Sequence, residues 1–280
     1  MKNLLFLLSS IFVTTAVAQK LPDLQVKEIK VPTTIKIDGD DKDWGSEYGA
    51  FNKKLDVYYT LSNDSKNLYL VMKSRSDGKD INKIITAGFA LTINTKNEKK
   101  VEDGFSVSYP IQSTNAIRSA ATQVRTIVVS GSPTSSGSFR VEGMDSILNA
   151  SRNKQLEAAK EIKVKGFSAI QDSVISVYNE HNILVGAKIN AANEYVYELA
   201  IPLNLLGLNA AQSKEIAYQL RTNPIVRINP EVFNNTTVTI NGNSIKASDI
   251  ISALPSGGMG GFNDSLIPNE VWGKYKLIQY

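Results

Sequence analysis

Apolar and polar residues alternate along most of the chain, which is the period of half-buried β-strands. The clearest runs are DVYYTLS at residues 56–62 and NLYLVMK at residues 67–73. Between them NDSK favours a turn through side-chain to backbone hydrogen bonds, so the pair predicts a β-hairpin. Further alternating runs begin at residues 88, 104, 124, 173, 183, 194, 215 and 271.

Short strands separated by turns favour antiparallel pairing over βαβ units. We therefore predict an all-β fold, an antiparallel β-sandwich of the jelly-roll kind, with one or two short helices inserted. Residues 146–162 carry apolar side chains at rough helical spacing, and Asp145 or Ser146 is available as the N-cap. The apolar face of this helix is thin, so we expect it to cover one sheet edge. A second short helix is predicted at residues 248–254.

Two regions, near residues 112–161 and 224–268, are predicted to be elaborations of the sandwich. The first includes SGSPTSSGS, whose Ser and Gly content offers little to a core. The second includes Asn241-Gly242, which suits a type I′ turn between two brief strands because both positions tolerate φ > 0. Loops on a rigid sandwich often carry recognition, so these regions are where we expect contacts with a partner.

The chain begins with MKNLLFLLSSIFVTTAVAQK, in which Lys2 precedes an apolar run and residues 16–18 are small. This pattern predicts a cleavable signal peptide at residues 1–18 and a single domain at residues 19–280. The apolar run is too short to span a bilayer, and no later run reaches the roughly 20 apolar residues of a spanning helix. We expect a periplasmic or extracellular protein without a membrane span.

The chain has no cysteine, which excludes disulfides and thiol catalysis. Its formal net charge is +4, and its basic clusters, such as Lys99-Lys100, are short and flanked by acids. This charge pattern predicts that nucleic acid is not a partner.

The stretch IKIDGDDKDWG at residues 35–45 contains a cluster of four carboxylates, Asp38, Asp40, Asp41 and Asp43. Oxygen ligands at this density suit calcium, although the stretch lacks the bidentate glutamate that ends a helix-loop-helix calcium site. The same residues also suit a solvated turn in which Asp38 accepts hydrogen bonds from nearby backbone N–H groups. The sequence therefore predicts either no cofactor or a structural calcium ion at this turn.

Several pieces of the chain follow one another in an order typical of a known family. They are IKIDGDDKDWG, LYLVMKSRSD, AGFALTINTKNEKKVEDGFSVSYP, NEYVYELAIPLNLLGL and the terminal VWGKYKL. This ordered set resembles the DOMON-like superfamily, and within it the family 9 carbohydrate-binding modules and their secreted relatives. The resemblance covers most of residues 19–280 apart from the two elaborations.

The resemblance implies a β-sandwich that binds sugars or other ligands without performing chemistry. It also implies that Asp38 and Gly39 make a turn, that Trp44 packs beneath it, and that Glu198 is the glutamate of the family's YELAIP strand. The chain has two tryptophans, Trp44 and Trp272, and both fall at positions that we assign to packing. No sugar-stacking tryptophan is carried over from the family.

Tyr58 and Tyr69 are the candidate ligand-binding residues. Both point opposite to the main apolar set of their strands, so we expect them on an exposed face. A flat aromatic ring on such a face can stack on a sugar ring while its hydroxyl remains available for hydrogen bonding.

The sequence contains few residues in the arrangements that catalysis requires. His181 is the only histidine and lies at a predicted hairpin corner, and no Gly-x-Ser-x-Gly motif occurs. Glycoside hydrolysis needs two carboxyl groups about 5–10 Å apart, and only distant residues such as Glu198 or Asp264 could partner the acidic turn. Haem ligation would need His181 together with a methionine from the set Met72, Met144 and Met259.

The sequence therefore predicts a secreted, non-catalytic binding protein for a carbohydrate or a related polar ligand. Two alternatives stay open. One is an envelope protein that binds another protein through its loops, and the other is a glycan-active enzyme.

Overall fold

The computed structural model describes residues 20–45, 47–75, 81–111, 144–224, 237–240, 243–246 and 268–280. In chain order its strands are β1 (Ala50–Asn52), β2 (Val57–Asn63), β3 (Asn67–Ser74), β4 (Phe89–Asn94), β5 (Phe105–Tyr109), β6 (Glu161–Lys165), β7 (Val174–Ser176), β8 (Leu184–Ile189), β9 (Tyr195–Pro202), β10 (Glu215–Thr222), β11 (Thr237–Ile240), β12 (Asn243–Lys246) and β13 (Asn269–Lys276). The helices are α1 (Ile81–Ala87) and α2 (Met144–Ala158), and short 3₁₀ helices span Asp41–Trp44 and Leu203–Leu206.

The strands form two large sheets and one separate hairpin. Sheet A has the order β1-β2-β3-β9-β8, sheet B has the order β13-β10-β4-β5-β6-β7, and β11 pairs with β12. Every pairing between described strands is antiparallel. The predicted antiparallel all-β fold is confirmed, and so is the predicted β2–β3 hairpin.

The inward side chains of the two sheets meet in a continuous apolar core. The inward sets of β2 and β10 are all 0 % exposed: Val57, Tyr59, Leu61, Ile216, Tyr218 and Leu220. Tyr59 and Tyr218 join the two layers directly, because their hydroxyl oxygens lie 2.8 Å apart. Alternating strand residues therefore close one interior, as the sequence pattern predicts.

The N-terminal segment, residues 20–45 and 47–49, lies along the β1–β2 edge and over the outer face of sheet A. The Phe51 N–H donates to the Pro22 carbonyl at 2.9 Å. The Gln25 side-chain amide donates to the Leu61 carbonyl and accepts the Leu61 N–H, both at 2.8 Å. It thus satisfies the edge of β2 as a neighbouring strand would. As a result seven outward side chains in the middle of sheet A are also at most 5 % exposed: Thr60, Ser62, Tyr69, Val71, Val196, Glu198 and Ala200.

Side-chain amides cap the outer edge of β8. Asn153 on α2 donates to the Ile189 carbonyl at 2.9 Å and accepts from its N–H at 2.7 Å. Asn179 bonds both backbone groups of Ile183 in the same way. The prediction that the helix covers a sheet edge is confirmed, and the cap satisfies backbone groups that could otherwise pair with another chain.

Three details of the predicted helix are wrong. The helix ends at Ala158, and the following Glu161–Lys165 form β6 instead of its last turn. Ile162 is a fully buried strand residue in sheet B, because the sequence EIKVK alternates between exposed and buried positions. The described helix begins at Met144, so Asp145 and Ser146 lie in its first turn and not at the N-cap. The short elements β1 and α1 were not expected from the sequence.

Several predictions lie outside the described residues. They are the signal peptide, the strand beginning at residue 124, the helix at 248–254, the Asn241-Gly242 turn, Met259 and Asp264. The two brief strands on either side of Asn241-Gly242 are present as the paired β11 and β12. Within the described part of the chain, none of the helices has the length and apolar character needed to cross a membrane.

Candidate functional site

Glu198 lies on β9, in the middle of the outer face of sheet A. The strand register places it between Val71 on β3 and Gly186 on β8. It is 0 % exposed, which is unusual for a carboxylate unless its oxygens are hydrogen-bonded.

The partners of Glu198 all belong to the acidic turn, which we define as residues 38–44. Glu198 Oε2 accepts hydrogen bonds from the backbone N–H groups of Asp38 at 2.9 Å and Gly39 at 2.8 Å. Glu198 Oε1 accepts the indole N–H of Trp44 at 2.8 Å. One carboxylate therefore attaches both ends of the acidic turn to the sheet, and the turn that the resemblance implied for these residues is present.

Burial raises the pKa of the Glu198 carboxyl from 4.5 to about 7. The hydrogen bonds from Trp44, Gly39 and Asp38 favour the charged carboxylate and lower the pKa, but they only partly offset burial. The nearby negative charge of Asp38 adds to the increase. Glu198 therefore changes its ionisation near neutral pH, unlike an ordinary surface glutamate.

Two glycines allow the acidic turn to approach β8. Gly39 has φ +81, and a Cβ on it would lie 2.7 Å from the Ala187 carbonyl carbon. A Cβ on Gly186 would lie 2.5 Å from the Gly39 nitrogen. The turn and the strand are therefore in direct backbone contact, which leaves no space for a side chain at either position.

Three of the four aspartates accept hydrogen bonds from groups within or next to the turn. Asp38 accepts the Asp40 N–H at 3.0 Å, and Asp43 accepts the Lys36 N–H at 3.0 Å. Asp40 accepts the Lys42 N–H at 3.3 Å and forms an ion pair with the Lys42 ammonium at 2.8 Å. These are the local contacts of a hydrogen-bonded turn.

Asp41 connects the turn to the sheet by a different route. Its Oδ2 accepts the Tyr48 hydroxyl at 2.6 Å and lies 3.1 Å from the Lys73 ammonium. That ammonium also lies 3.8 Å from the Glu194 carboxylate and 5.2 Å from the centre of the Tyr48 ring. We call Asp41, Tyr48, Lys73 and Glu194 the charged network.

A calcium ion at the acidic turn would compete with these contacts. It would have to displace the ammonium groups of Lys42 and Lys73 from the Asp40 and Asp41 carboxylates. Across the described residues, His, Cys, Asp and Glu side chains do not gather in threes or more where they could hold a metal ion. The calcium site stays a prediction, and the contacts favour the alternative of a turn.

Tyr69 lies on the outer face of sheet A, as expected, but the exposure predicted for it is wrong. It is 5 % exposed because the Trp44 ring packs against it edge to face, with ring centres 6.0 Å apart. Its hydroxyl donates to Asp64 Oδ2 at 2.9 Å. A ligand could reach Tyr69 only after the acidic turn had moved.

Tyr58 is partly exposed and belongs to a group of rings. Its centre lies 4.7 Å from that of Phe51 and 5.8 Å from that of Tyr48. The register places Tyr58 opposite Lys73, so the rings lie beside the charged network. We call Tyr48, Phe51 and Tyr58 the aromatic group.

Of the residues considered for catalysis and haem, Glu198 belongs to this arrangement, whereas His181 and Met72 lie elsewhere. His181 is in the turn between β7 and β8, but the hairpin predicted there is wrong because these two strands belong to different sheets. Met72 is a core residue at 0 % exposed. The two oxygens of Glu198 accept hydrogen bonds from Gly39 and Trp44, which both belong to the acidic turn. These contacts give Glu198 a positioning role for the turn.

Sequence reasoning missed three residues of interest. Gly186 and Lys73 contact the acidic turn only because strand register brings β8 and β3 beside it. Trp272, which we assigned to packing, is partly exposed on the outer face of sheet B. Its alternation with Val271 and Gly273 was the available signal, because those neighbours face the core.

Comparison of the chain with protein-family models finds no match, and comparison with curated proteins finds none. The class that the fold defines is an antiparallel all-β sandwich with short helices. The DOMON-like resemblance stays a prediction.

Proposed function

We propose that the chain is an exported, non-catalytic binding protein whose ligand is a carbohydrate or a related polar molecule. The observation that best supports this proposal is the aromatic group lying beside the charged network. Tyr58 and Phe51 are partly exposed there, and tyrosine combines an apolar ring with a polar tip.

The geometry suits a ligand with both an apolar ring face and hydroxyl groups. The rings of the aromatic group provide apolar area, and Asp41 and Lys73 provide an acceptor and a donor within the same patch. The side chains of Lys73 and Asp41 are 24 % and 14 % exposed, so they are partly accessible yet held in position. Preorganised polar groups cost less conformational entropy on binding than free surface side chains.

Affinity electrophoresis through gels that contain a panel of polysaccharides tests this proposal. The wild-type chain should be retarded by at least one of them, and Tyr58→Ala should weaken the binding at least about fivefold, since removing a central aromatic contact commonly costs about 1 kcal/mol or more. Tyr178→Ala is the matched control, because Tyr178 is 80 % exposed in the turn after β7 and lies outside the aromatic group. A chain that no polysaccharide retards would overturn the proposal.

A protein-binding role is the second candidate, and a different surface favours it. Val174, Tyr178 and Leu184 are 41 %, 80 % and 44 % exposed around the turn that joins an edge strand of sheet B to an edge strand of sheet A. Large exposed apolar residues that lie close together often mark a protein interface.

The same substitutions separate the two candidates. If the chain is a protein-interaction module, Tyr178→Ala and Leu184→Ser should abolish cross-linking to a partner in envelope extract, while Tyr58→Ala leaves it unchanged. Cross-linking that all three variants preserve would count against this second role.

A further inference from the structure

The outer face of sheet B carries a polar row that lies away from the aromatic group. The strand register aligns its members across five neighbouring strands, from β13 to β6: Trp272, Gln219, Thr92, Ser106 and Lys165. Inter-strand steps of about 4.8 Å give the row a length of about 19 Å. Gln219 and Thr92 form a floor at 2 % exposed each, while Trp272 and Ser106 are partly exposed and Lys165 is exposed.

Arg221 lies next to this row and is partly exposed, and its guanidinium group forms neither a hydrogen bond nor an ion pair with another described residue. The register places it opposite Glu270, but the Glu270 carboxylate accepts its hydrogen bond from Gln219 Nε2, at 3.1 Å. Arg221 Nε is buried and has no hydrogen-bond partner among the described residues, while the two terminal Nη groups are not buried.

The terminal Nη groups of Arg221 can reach an oxygen of a ligand outside the chain, because the side chain is partly exposed. A guanidinium binds carboxylate or sulfate groups through parallel N–H···O bonds, in a geometry that lysine cannot reproduce. Glu270 does not fill this role in the described structure, because its carboxylate is engaged by Gln219. The unpaired and accessible Nη donors of Arg221 therefore favour an acidic group supplied from outside the chain.

Trp272 supplies an apolar surface at a suitable distance from Arg221. The two residues are diagonal neighbours on the same face of adjacent antiparallel strands, a relationship that puts their Cβ atoms about 7–8 Å apart. A sugar ring stacked on the indole could therefore extend an acidic substituent to the guanidinium.

The charges along the row favour an anionic chain. Lys163 and Lys165 are exposed on β6, and neither forms an ion pair with a carboxylate in the parts of the chain described here. Lys274, in contrast, is already paired with Glu215 at 3.1 Å. The cations on this face are Arg221, Lys163, Lys165, Lys274 and Lys276, and its carboxylates are Glu161, Glu215 and Glu270, so cations are in excess.

We propose that the outer face of sheet B binds an anionic polysaccharide, a sugar chain carrying carboxylate or sulfate groups. Arg221 binds an acidic group, Trp272 stacks on a sugar ring, and Lys163 and Lys165 attract the chain further along. This inference rests on the proposed function for the general class of ligand, and it places the ligand on the opposite sheet from Tyr58.

The test is affinity electrophoresis and calorimetry of the folded chain with three probes. Polygalacturonate carries carboxylates, dextran sulfate carries sulfates, and dextran is uncharged. The chain should bind one or both anionic probes, and the binding should weaken as salt is raised because the exposed cations are screened. The comparison of the two anionic probes identifies which acidic group is preferred.

Arg221→Gln should weaken anionic binding about tenfold or more, since hydrogen bonds to charged groups are among the stronger ones. Arg221→Lys should give an intermediate loss because it keeps the charge without the planar fork. Trp272→Ala should also weaken the binding. Lys188→Gln is the matched control, because it removes an exposed cation from β8 of sheet A and should change affinity less than twofold. Melting curves establish that each variant is folded.

The possible outcomes separate this inference from the proposed function. Equal effects of Arg221→Gln and Lys188→Gln would overturn the inference, because they indicate unspecific charge attraction. Binding of dextran alone, lost in Tyr58→Ala, would overturn it and leave the proposed function in place. If none of the three probes binds, the inference fails, and the wider polysaccharide panel decides the proposed function separately.

Discussion

Glu198 accepts the indole N–H of Trp44 at 2.8 Å, although 154 residues separate the two in the chain. The same carboxylate accepts the backbone N–H groups of Asp38 and Gly39. These donors lie against a buried sheet face, where an unsatisfied N–H group is costly. The carboxylate therefore holds the acidic turn in place over sheet A.

Glu198→Gln should destabilise the fold by about 1–3 kcal/mol at pH 5, because an amide nitrogen cannot accept a hydrogen bond, whereas both oxygens of the carboxyl group can, even when it is protonated. Whichever way the amide is turned, it opposes either the Trp44 indole or the backbone of Asp38 and Gly39. Urea unfolding followed by circular dichroism measures the change. Glu180→Gln, an exposed substitution in the turn after β7, should change the free energy of unfolding by less than about 0.5 kcal/mol.

The stability difference between wild type and Glu198→Gln should narrow as the pH rises. Because the pKa of Glu198 increases from 4.5 to about 7 on folding, the folded chain keeps a proton that the unfolded chain releases within this range. The contribution of Glu198 to the free energy of unfolding is fully present below about pH 4.5 and is lost as the pH rises through about 7. The complete loss amounts to roughly 3 kcal/mol.

Urea unfolding of both proteins between pH 4 and pH 8 measures this effect. Groups that titrate alike in the two proteins cancel in the difference, so only the contribution of Glu198 remains. Two parallel stability curves would show that Glu198 titrates with its ordinary pKa.

Gly186→Ala should displace the acidic turn from β8. Its new Cβ would lie 2.5 Å from the Gly39 nitrogen and 2.8 Å from the Asp38 carbonyl carbon, and backbone atoms cannot give way as a flexible side chain can. We expect a loss of about 1–3 kcal/mol, the usual cost of overpacking, together with a change in tryptophan fluorescence as Trp44 leaves Glu198.

Gly207→Ala is the control for this substitution. Gly207 has φ +63 but open space around its Cβ position, so alanine there costs backbone strain of about 1 kcal/mol without moving Trp44. Unchanged fluorescence in Gly186→Ala would contradict the close contact between the turn and the strand.

Calcium should leave the melting temperature of the chain unchanged. An ion that binds only the folded state raises the melting temperature by mass action, but the Asp40 and Asp41 carboxylates are already paired with Lys42 and Lys73. Differential scanning calorimetry with millimolar calcium and with chelator measures the shift. A rise with calcium that disappears in Asp40→Asn would establish the metal site and reject the interpretation as a turn alone.

Much of the fold could be predicted from the sequence, because strand alternation and turn chemistry are local. Tyr59 and Leu61 face the core as their spacing predicts, and Asp64 accepts the backbone N–H groups of Lys66 and Asn67 as a turn residue should. The stretch EIKVK was misassigned because it directly follows a helix and is too short for its period to stand out.

The candidate site was harder to predict, because its properties depend on which segments cover each sheet. Tyr58 and Tyr69 both face the outer side of sheet A. Trp44 packs over Tyr69 and buries it, whereas Tyr58 is partly exposed. Strand alternation could have placed Trp272 on the outer face of sheet B, but only the structure shows that its ring is partly exposed there.

The sequence by itself determined the alternating strands and the acidic turn, since side-chain period and the φ > 0 freedom of Gly39 act over a few residues. Only the tertiary structure decided that Glu198 is the anchor of that turn and that Arg221 has no ion-pair partner among the described residues. Both facts depend on strand register and on contacts between segments far apart in the chain, and short-range patterns carry no information about either.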